Sequence, residues 1–278
     1  MNPSKMMMTI GLAIAGAGCL TDEDLVDDGA DLGTTAQALS AITSHHLTGN
    51  AYDTKDLGTA IGRQCFLTGL KGNVTVGTSG DSQAGAGVRR VGTTWQLYVD
   101  PASAEVQVDA MCVNTTSVGS TPPVSWSTGQ PSQILAAKQR GRQCFLTQIR
   151  TGRNATYPHG GFQADSDEVE INLVGDYWRL GGTTGGLVTA TAQCFQASID
   201  HGSATVWAAA GLPASVLALL DTDDDAACGF TAIRGHIDDQ AVWAATGVEI
   251  QRAIGPSGET YFHVAARNAS GATARCVE

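Results

Sequence analysis

A run of aspartates forms the densest group of potential metal ligands in the sequence. Asp221, Asp223 and Asp225 stand at alternate positions of the stretch DTDDDA (221–226), which is the spacing of the first ligands of a calcium-binding loop. Such a loop also needs Gly at its sixth position and Glu at its twelfth, whereas this stretch has Ala226 at the sixth and no Glu at the twelfth. We therefore leave calcium binding at Asp221–Asp225 open and favour an acidic turn.

The remaining polar residues give little support for catalysis or for a bound metal. Only His45 and His46 are close in sequence among the histidines, and no Cys-x-x-Cys pair is present, so a zinc site is not indicated. Ser82 lies in GDSQAG (80–85), which shares three letters with a serine-protease motif but reads better as a Gly-rich loop. The sequence thus predicts a non-enzymatic protein without cofactor or metal, with a secreted hydrolase as the weaker alternative.

Large aromatic residues recur along the chain and are the best candidates for ligand contacts. One set precedes the last cysteine of each repeat and is expected to pack in the core: Trp95, Trp178 and Tyr261. Trp126 and Trp207 instead precede Gly-x-Pro turns, which would hold a ring at the surface for stacking on a sugar. The alternative is that these two rings also pack in the core. Trp243 has no counterpart in the other repeats and is the candidate for a contact specific to the third unit.

The cysteines define an internal repeat. GRQCFLT occurs at 62–68 and again at 141–147, and CGFT at 228–231 keeps its pattern of Cys, any residue, an apolar residue and Thr. The closing cysteines recur every 82 residues, at Cys112, Cys194 and Cys276. The pairing that treats every unit alike is Cys65–Cys112, Cys144–Cys194 and Cys228–Cys276, and each bond would contribute roughly 4 kcal/mol in the loop-entropy model.

Strand signals dominate each repeat and predict an all-β fold. Short segments rich in Val, Thr and aromatic residues alternate with Gly-rich breaks. One short helix per unit is expected before its first cysteine, at 131–140 and 213–224, with a weaker candidate at 52–62. The predicted arrangement is three disulfide-closed β modules at 45–112, 113–194 and 195–278. They are either separate along the chain or joined in a pseudo-threefold cluster.

The first eighteen residues have the features of an export signal. Lys5 precedes an apolar run from Met6 to Ala17, and small residues stand directly before Cys19. This stretch resembles the signal peptide of bacterial lipoproteins, and the resemblance implies that Cys19 becomes the lipidated N-terminus. Gly16 departs from the Leu, Val or Ile usual in that family, so cleavage after Ala17 to give a soluble secreted protein is the alternative.

The net charge of the chain and its expected location limit the classes of binding partner. Residues 19–44 are acidic and poor in large apolar groups, which predicts a flexible tether. The net charge of −11 argues against a nucleic-acid partner. We expect an exported protein, lipid-anchored at the bacterial outer membrane or cell surface, that binds or adheres to an extracellular glycan. The rival is a structural envelope protein that contacts other proteins.

Overall fold

The computed structural model describes residues 40–74, 83–101, 105–115, 120–158, 160–197, 200–209, 216–221, 226–237, 246–254 and 260–278. The chain from residue 36 onward forms one compact unit. Among the described residues there is no helix of the length and apolar character that crossing a bilayer requires. Cys19, Trp243 and residues 222–225 of the aspartate run lie outside the described residues, so their predicted roles stay predictions.

The described chain is built from strands, which confirms the all-β prediction. The first third contributes β1 (Ser40–Gly49), β2 (Asp53–Thr59), β3 (Arg63–Gly72), β4 (Gln83–Val91), β5 (Thr94–Asp100) and β6 (Val106–Asn114). The second third contributes β7 (Val124–Ser127), β8 (Gln133–Ala137), β9 (Arg142–Gly152), β10 (Glu168–Val174), β11 (Tyr177–Thr183) and β12 (Leu187–Gln196). The last third contributes β13 (Asp200–Trp207), β14 (Val216–Asp221), β15 (Ala227–Gly235), β16 (Gly247–Ile254), β17 (Thr260–Arg267) and β18 (Ser270–Val277). β1 thus begins inside the segment 19–44 that was predicted to be a tether.

The strands form three six-stranded antiparallel sheets. Each sheet contains three strands from one third of the chain and three strands from another third. Sheet I has the order β1-β6-β3-β16-β17-β14, sheet II the order β2-β5-β4-β9-β12-β7, and sheet III the order β13-β18-β15-β10-β11-β8. Every sheet therefore joins the first, sixth and third strands of one repeat to the fourth, fifth and second strands of another. The repeats share their sheets, so no repeat completes a sheet by itself.

The sheets meet at their edges and around a common centre. Edge strands of different sheets contact each other at β1 and β2, at β7 and β8, and at β13 and β14. The repeated strands β3, β9 and β15 contact one another in the interior. There the rings of Phe66, Phe145 and Phe195 stack with centroids 4.7 to 5.7 Å apart. These three rings belong to the buried apolar core.

The three predicted disulfides are confirmed. Cys65 is bonded to Cys112, Cys144 to Cys194 and Cys228 to Cys276. In each pair the two cysteines stand directly opposite each other on neighbouring antiparallel strands, with Cα atoms 3.9 to 4.1 Å apart. The opening cysteine of a repeat thereby ties its third strand to its sixth.

The threonine of the repeat marks a β-bulge in all three copies. Thr68, Thr147 and Thr231 are each skipped in the pairing of the third strand with the sixth. A bulge frees a backbone carbonyl from the ladder, and the threonine hydroxyl compensates. Thr147 Oγ1 donates to Thr191 O at 3.1 Å, and Thr231 Oγ1 donates to Thr273 O at 3.3 Å. This explains the fixed Thr three residues after the cysteine.

The predicted helices are wrong. Segments 131–140, 213–224 and 52–62 instead contain β8, β14 and β2, and each of these strands lies at the outer edge of a sheet. The three predicted helices span only ten to twelve residues each, a length at which an isolated helix is marginally stable. The free edges of β11, β17 and β5 pair with these segments through the backbone, and this pairing overrides the Pro and Ala signals.

Candidate functional site

Within each sheet the three strands of one repeat separate from the three strands of the other at a defined point. The β-bulge at the repeat threonine determines the position of that point. In sheet II, β4 pairs with β9 only as far as Gly87 opposite Gln148, the residue directly after the Thr147 bulge. In sheet III, pairing stops likewise at Glu170 opposite Ala232, directly after Thr231. Bulges bend a strand and end its pairing, so the two halves diverge from there and leave space between them.

That space forms a cleft in sheet II, which we call cleft II. Its volume is about 590 Å³, within the range of small-molecule sites. The wall from the β4–β5 side includes Val88, Arg89 and Trp95, and the wall from the β9–β12 side includes Gln148 and Thr191. The cleft thus combines an aromatic surface, amide and hydroxyl groups, and a guanidinium group.

A chain of hydrogen bonds crosses sheet II and orients the polar groups of the cleft. Tyr98 Oη donates to Gln148 Oε1 at 2.9 Å, and Gln148 Nε2 donates to Thr191 Oγ1 at 2.9 Å. The hydroxyl groups of Thr191 and Ser125 are 2.8 Å apart. Burial raises the pKa of Tyr98 well above its usual range, so its phenol keeps the proton that it donates. Gln148 is therefore held in one orientation before any ligand arrives.

The rim and the aromatic wall are fixed as well. Thr121 lies in the rim segment 120–123 and accepts a hydrogen bond from Cys194 N at 3.1 Å, while Thr121 O accepts one from Gln193 Nε2 at 2.7 Å. Trp95 is 4% exposed, and its indole Nε1 donates to Arg63 O at 2.9 Å. A preorganised wall and rim lower the ordering cost of binding.

A second cleft, cleft III, occupies the same place in sheet III with a volume of about 450 Å³. Seven of its lining residues are register counterparts of residues lining cleft II: Ile171 for Val88, Asn172 for Arg89, Trp178 for Trp95, Thr231 for Thr147, Ala232 for Gln148, Thr273 for Thr191 and Arg275 for Gln193. Cleft III is more charged, because Glu168, Glu170 and Arg234 also line it. Burial, and then the charge of Glu170, raises the pKa of Glu168, against the opposing effect of Arg234.

The expected core position of the recurring aromatics is confirmed for Trp95 and Trp178, which are 4% and 8% exposed. It is wrong for Tyr261, which is half-buried and stacks on His263. Strand register assigns the position of Trp178 to Phe262 instead, since each lies opposite the fourth residue after a buried valine that pairs with the third strand. Counting residues back from the closing cysteine missed the shift because loop lengths differ between repeats.

Trp126 is a core residue, so its prediction as a surface anchor is wrong. Only 1% of it is exposed, and the turn after β7 brings Gln130 O within 2.9 Å of the indole Nε1, which donates to it. The turn that was expected to hold the ring at the surface therefore fixes it inside. Its register counterpart is Val206, which is also buried.

Trp207 lies one residue further along β13 and therefore points to the opposite face of the sheet. It is half-buried and covers Gly235 and Gly271, where an added Cβ would approach its ring to within 2.7 and 2.8 Å. Trp126 and Trp207 are therefore not equivalent, and they do not form a repeated pair of sites.

In sheet I three polar side chains contact one another at the cross-strand position that corresponds to Ser125 and Thr191 in sheet II. His46 Nδ1 lies 2.7 Å from Asp109 Oδ1, and the Thr48 hydroxyl lies 2.9 Å from His46 Nε2. This order of groups also occurs in hydrolases with a hydroxyl nucleophile. His46 and Asp109, however, occupy the register positions of the Ser125–Thr191 and Thr205–Thr273 pairs, which favours a cross-strand structural contact.

The acidic side chains of the described residues do not form a metal site. No group of three or more His, Cys, Asp or Glu side chains within the described ranges is placed to hold an ion. Asp167 accepts hydrogen bonds from the backbone N–H groups of Gln163, Ala164 and Gly185 at 2.6 to 3.1 Å. Its carboxylate closes a loop against β11 and β12.

The residues that build cleft II were not identified from the sequence. Gln148, Thr191 and Tyr98 carry no motif, and the one available signal was the invariant Thr of the repeat, whose role as a bulge requires knowledge of the register. Comparison with known proteins adds no assignment: no protein-family model matches the chain, and no curated protein or solved structure is significantly similar to it.

Proposed function

We propose that this protein is a non-enzymatic, exported binding protein that adheres to an extracellular glycan through clefts II and III. The observation that carries the proposal is the recurrence of a concave site at the same register position in two sheets. Weak sites placed in series on one chain gain affinity for repetitive ligands through avidity, and polysaccharides are repetitive. The same recurrence supports a pseudo-threefold architecture that arose by tandem duplication.

The chemistry of cleft II suits a saccharide. Gln64, Gln148 and Gln193 line it together with Thr147 and Thr191, so that amide and hydroxyl groups dominate its polar lining. Such groups donate and accept hydrogen bonds, as sugar hydroxyls do. Val88 and Trp95 are 1% and 4% exposed and form the apolar floor of the cleft.

A glycan array with a matched pair of variants tests this function. Thr191→Val removes the acceptor that orients Gln148, so binding should fall about tenfold, the effect of one or two hydrogen bonds. Thr189→Val is the control, because Thr189 makes the same type of contact with Ser127 on the same two strands at 2.7 Å, outside the cleft. Equal binding by both variants, or no glycan bound by the wild-type protein, would refute the assignment.

Export and anchoring complete the proposal. The three disulfides are consistent with an extracellular location. Lipidation of Cys19, followed by an acidic tether, would hold the clefts clear of the membrane surface. Release of a Cys19→Ala variant from the membrane fraction is the expected outcome, and retention there would contradict lipid anchoring at Cys19.

One observation favours the rival function of a structural envelope protein. The antiparallel strand pairs β4–β5, β10–β11 and β16–β17 each carry an exposed aliphatic residue at the end of the first strand: Val91, Val174 and Ile254 are 47%, 56% and 71% exposed. On β10–β11 the exposed residues Leu173, Val174 and Tyr177 lie next to one another, and a contiguous exposed apolar patch is typical of protein contacts. Cross-linking to an envelope protein that is lost in a Val174→Ser variant, with no glycan bound, would support this alternative.

A further inference from the structure

Cleft II is cationic although the protein as a whole is strongly acidic. The chain has a net charge of −11, yet the residues lining cleft II include Arg89 and Arg90 and no Asp or Glu. A positive site in a negative protein must arise from local placement, since the composition does not favour it. Such a site attracts anions by its own field.

Arg89 is held in place by aromatic rings. Its guanidinium carbon lies 4.8 Å from the ring centroid of Tyr98 and 5.8 Å from that of Tyr52, and its Nη2 donates to Tyr52 Oη. These contacts fix the position of the charge without neutralising it. Arginine also remains protonated at any pH of interest.

The charge of Arg89 lacks a counterion within the described part of the chain. Its Nε atom is buried and has no hydrogen-bond partner there, and no ion pair of the described residues involves Arg89. Arg89 is half-buried, so part of its guanidinium group stays in contact with solvent and is open to an anion. A ligand with a negative charge would supply the missing partner.

The comparison with cleft III shows where the negative charges are missing. Register places Gly85 and Gly87 of β4 at the positions of Glu168 and Glu170 in β10. Glu168 stands opposite Arg234 in sheet III, whereas the counterpart Arg150 stands opposite Gly85 in sheet II. Cleft III therefore balances its arginines internally, and cleft II does not.

We infer that cleft II binds an acidic saccharide, one that carries a carboxylate or a sulfate ester. Arg89 would pair with the oxyanion, and guanidinium–oxyanion pairs are about twice as strong as neutral hydrogen bonds. Gln148 and Thr191 bind the neighbouring hydroxyl groups. This inference rests on the proposed glycan-binding function and specifies the class of sugar for cleft II.

Calorimetry with sugars matched in length and stereochemistry tests the inference. Trigalacturonate should bind at least about tenfold more tightly than neutral galactotriose, as expected for one charge-assisted contact. A sulfate ester of galactotriose, which has the same length and carries no carboxylate, distinguishes the two oxyanions: if it binds more tightly than trigalacturonate the ligand is a sulfate ester, and if it binds more weakly the ligand is a uronate. Either result supports the inference.

Three variants test whether Arg89 causes the preference for the acidic trisaccharide. Arg89→Gln should abolish the preference for the acidic sugar, and Arg89→Lys should keep part of it. Arg179→Gln is the control and should change nothing, because Arg179 has the same half-buried class and the same unpartnered Nε but lines neither cleft. Equal affinity for both trisaccharides, or a preference that survives Arg89→Gln, would overturn the inference while leaving glycan binding intact. If no saccharide binds at all, both the inference and the proposed function fail.

Discussion

A Gly229→Phe variant should fail to fold, although it makes the third repeat more like the first two. Phe66 and Phe145 follow the opening cysteine in the first and second repeats, and Gly229 holds that position in the third. A Cβ atom at Gly229 would already lie 2.6 Å from the rings of both Phe66 and Phe145. Since a whole ring has to fit where a single carbon collides, we expect a loss of about 4 kcal/mol or more.

Smaller variants at Gly229 show whether steric overlap is the cause. Gly229→Ala should lower the free energy of unfolding by about 1–3 kcal/mol, the range for overpacking. The same substitution in a Phe145→Ala background should cost less, because the missing ring leaves room for the methyl group. Additive effects in urea unfolding would show that the two residues do not compete for space. A Gly229→Phe protein that melts like the wild type would refute the central packing.

Trp126→Ala should destabilise the protein by about 3–5 kcal/mol, the usual effect of removing a buried Trp ring. The indole is 1% exposed, its far edge lies 3.1 Å from a Cβ built on Gly182, and its N–H is satisfied by Gln130 O. The melting temperature should therefore fall by roughly 10 °C, at about 2–4 °C per kcal/mol for a chain of this size. Differential scanning calorimetry measures this directly.

Trp207→Ala is the natural comparison for this variant. Trp207 is half-buried on the other face of its sheet, so its removal should lower the melting temperature by less than half as much. An unchanged melting temperature for Trp126→Ala, combined with a loss of glycan binding, would restore the surface-anchor interpretation and contradict the burial of the ring.

Much of the architecture follows from the cysteine spacing. The 82-residue period predicted three disulfides and their partners, because a bond repeated in every unit must join equivalent positions. The sequence could not show that the repeats share sheets. That arrangement depends on the pairing of β3 with β16, β9 with β4 and β15 with β10, and these contacts between distant segments leave no local pattern.

The errors have physical causes that are specific to edge strands and bulges. β8 and β14 follow prolines and contain Ala and Leu, which favours a helix locally, but a free sheet edge offers each of them a complete set of backbone partners. The Trp126 and Trp207 motifs align in sequence, yet a one-residue difference in register places the two rings on opposite faces. The clefts could not be predicted from the sequence for a related reason. A β-bulge opens each cleft, and a bulge depends on how two strands pair.

The claim that a bulge-opened cleft binds a saccharide is tested most directly by mapping where a sugar contacts the protein. The protein is titrated with the oligosaccharide that binds best on the array, and its backbone and side-chain amide signals are followed by ¹H–¹⁵N NMR. We predict saturable shifts of the amides of Gln64, Gln148 and Gln193, which all line cleft II. Shifts confined to the surface around Val174 and Tyr177, or no saturable shift at any amide, would contradict the account.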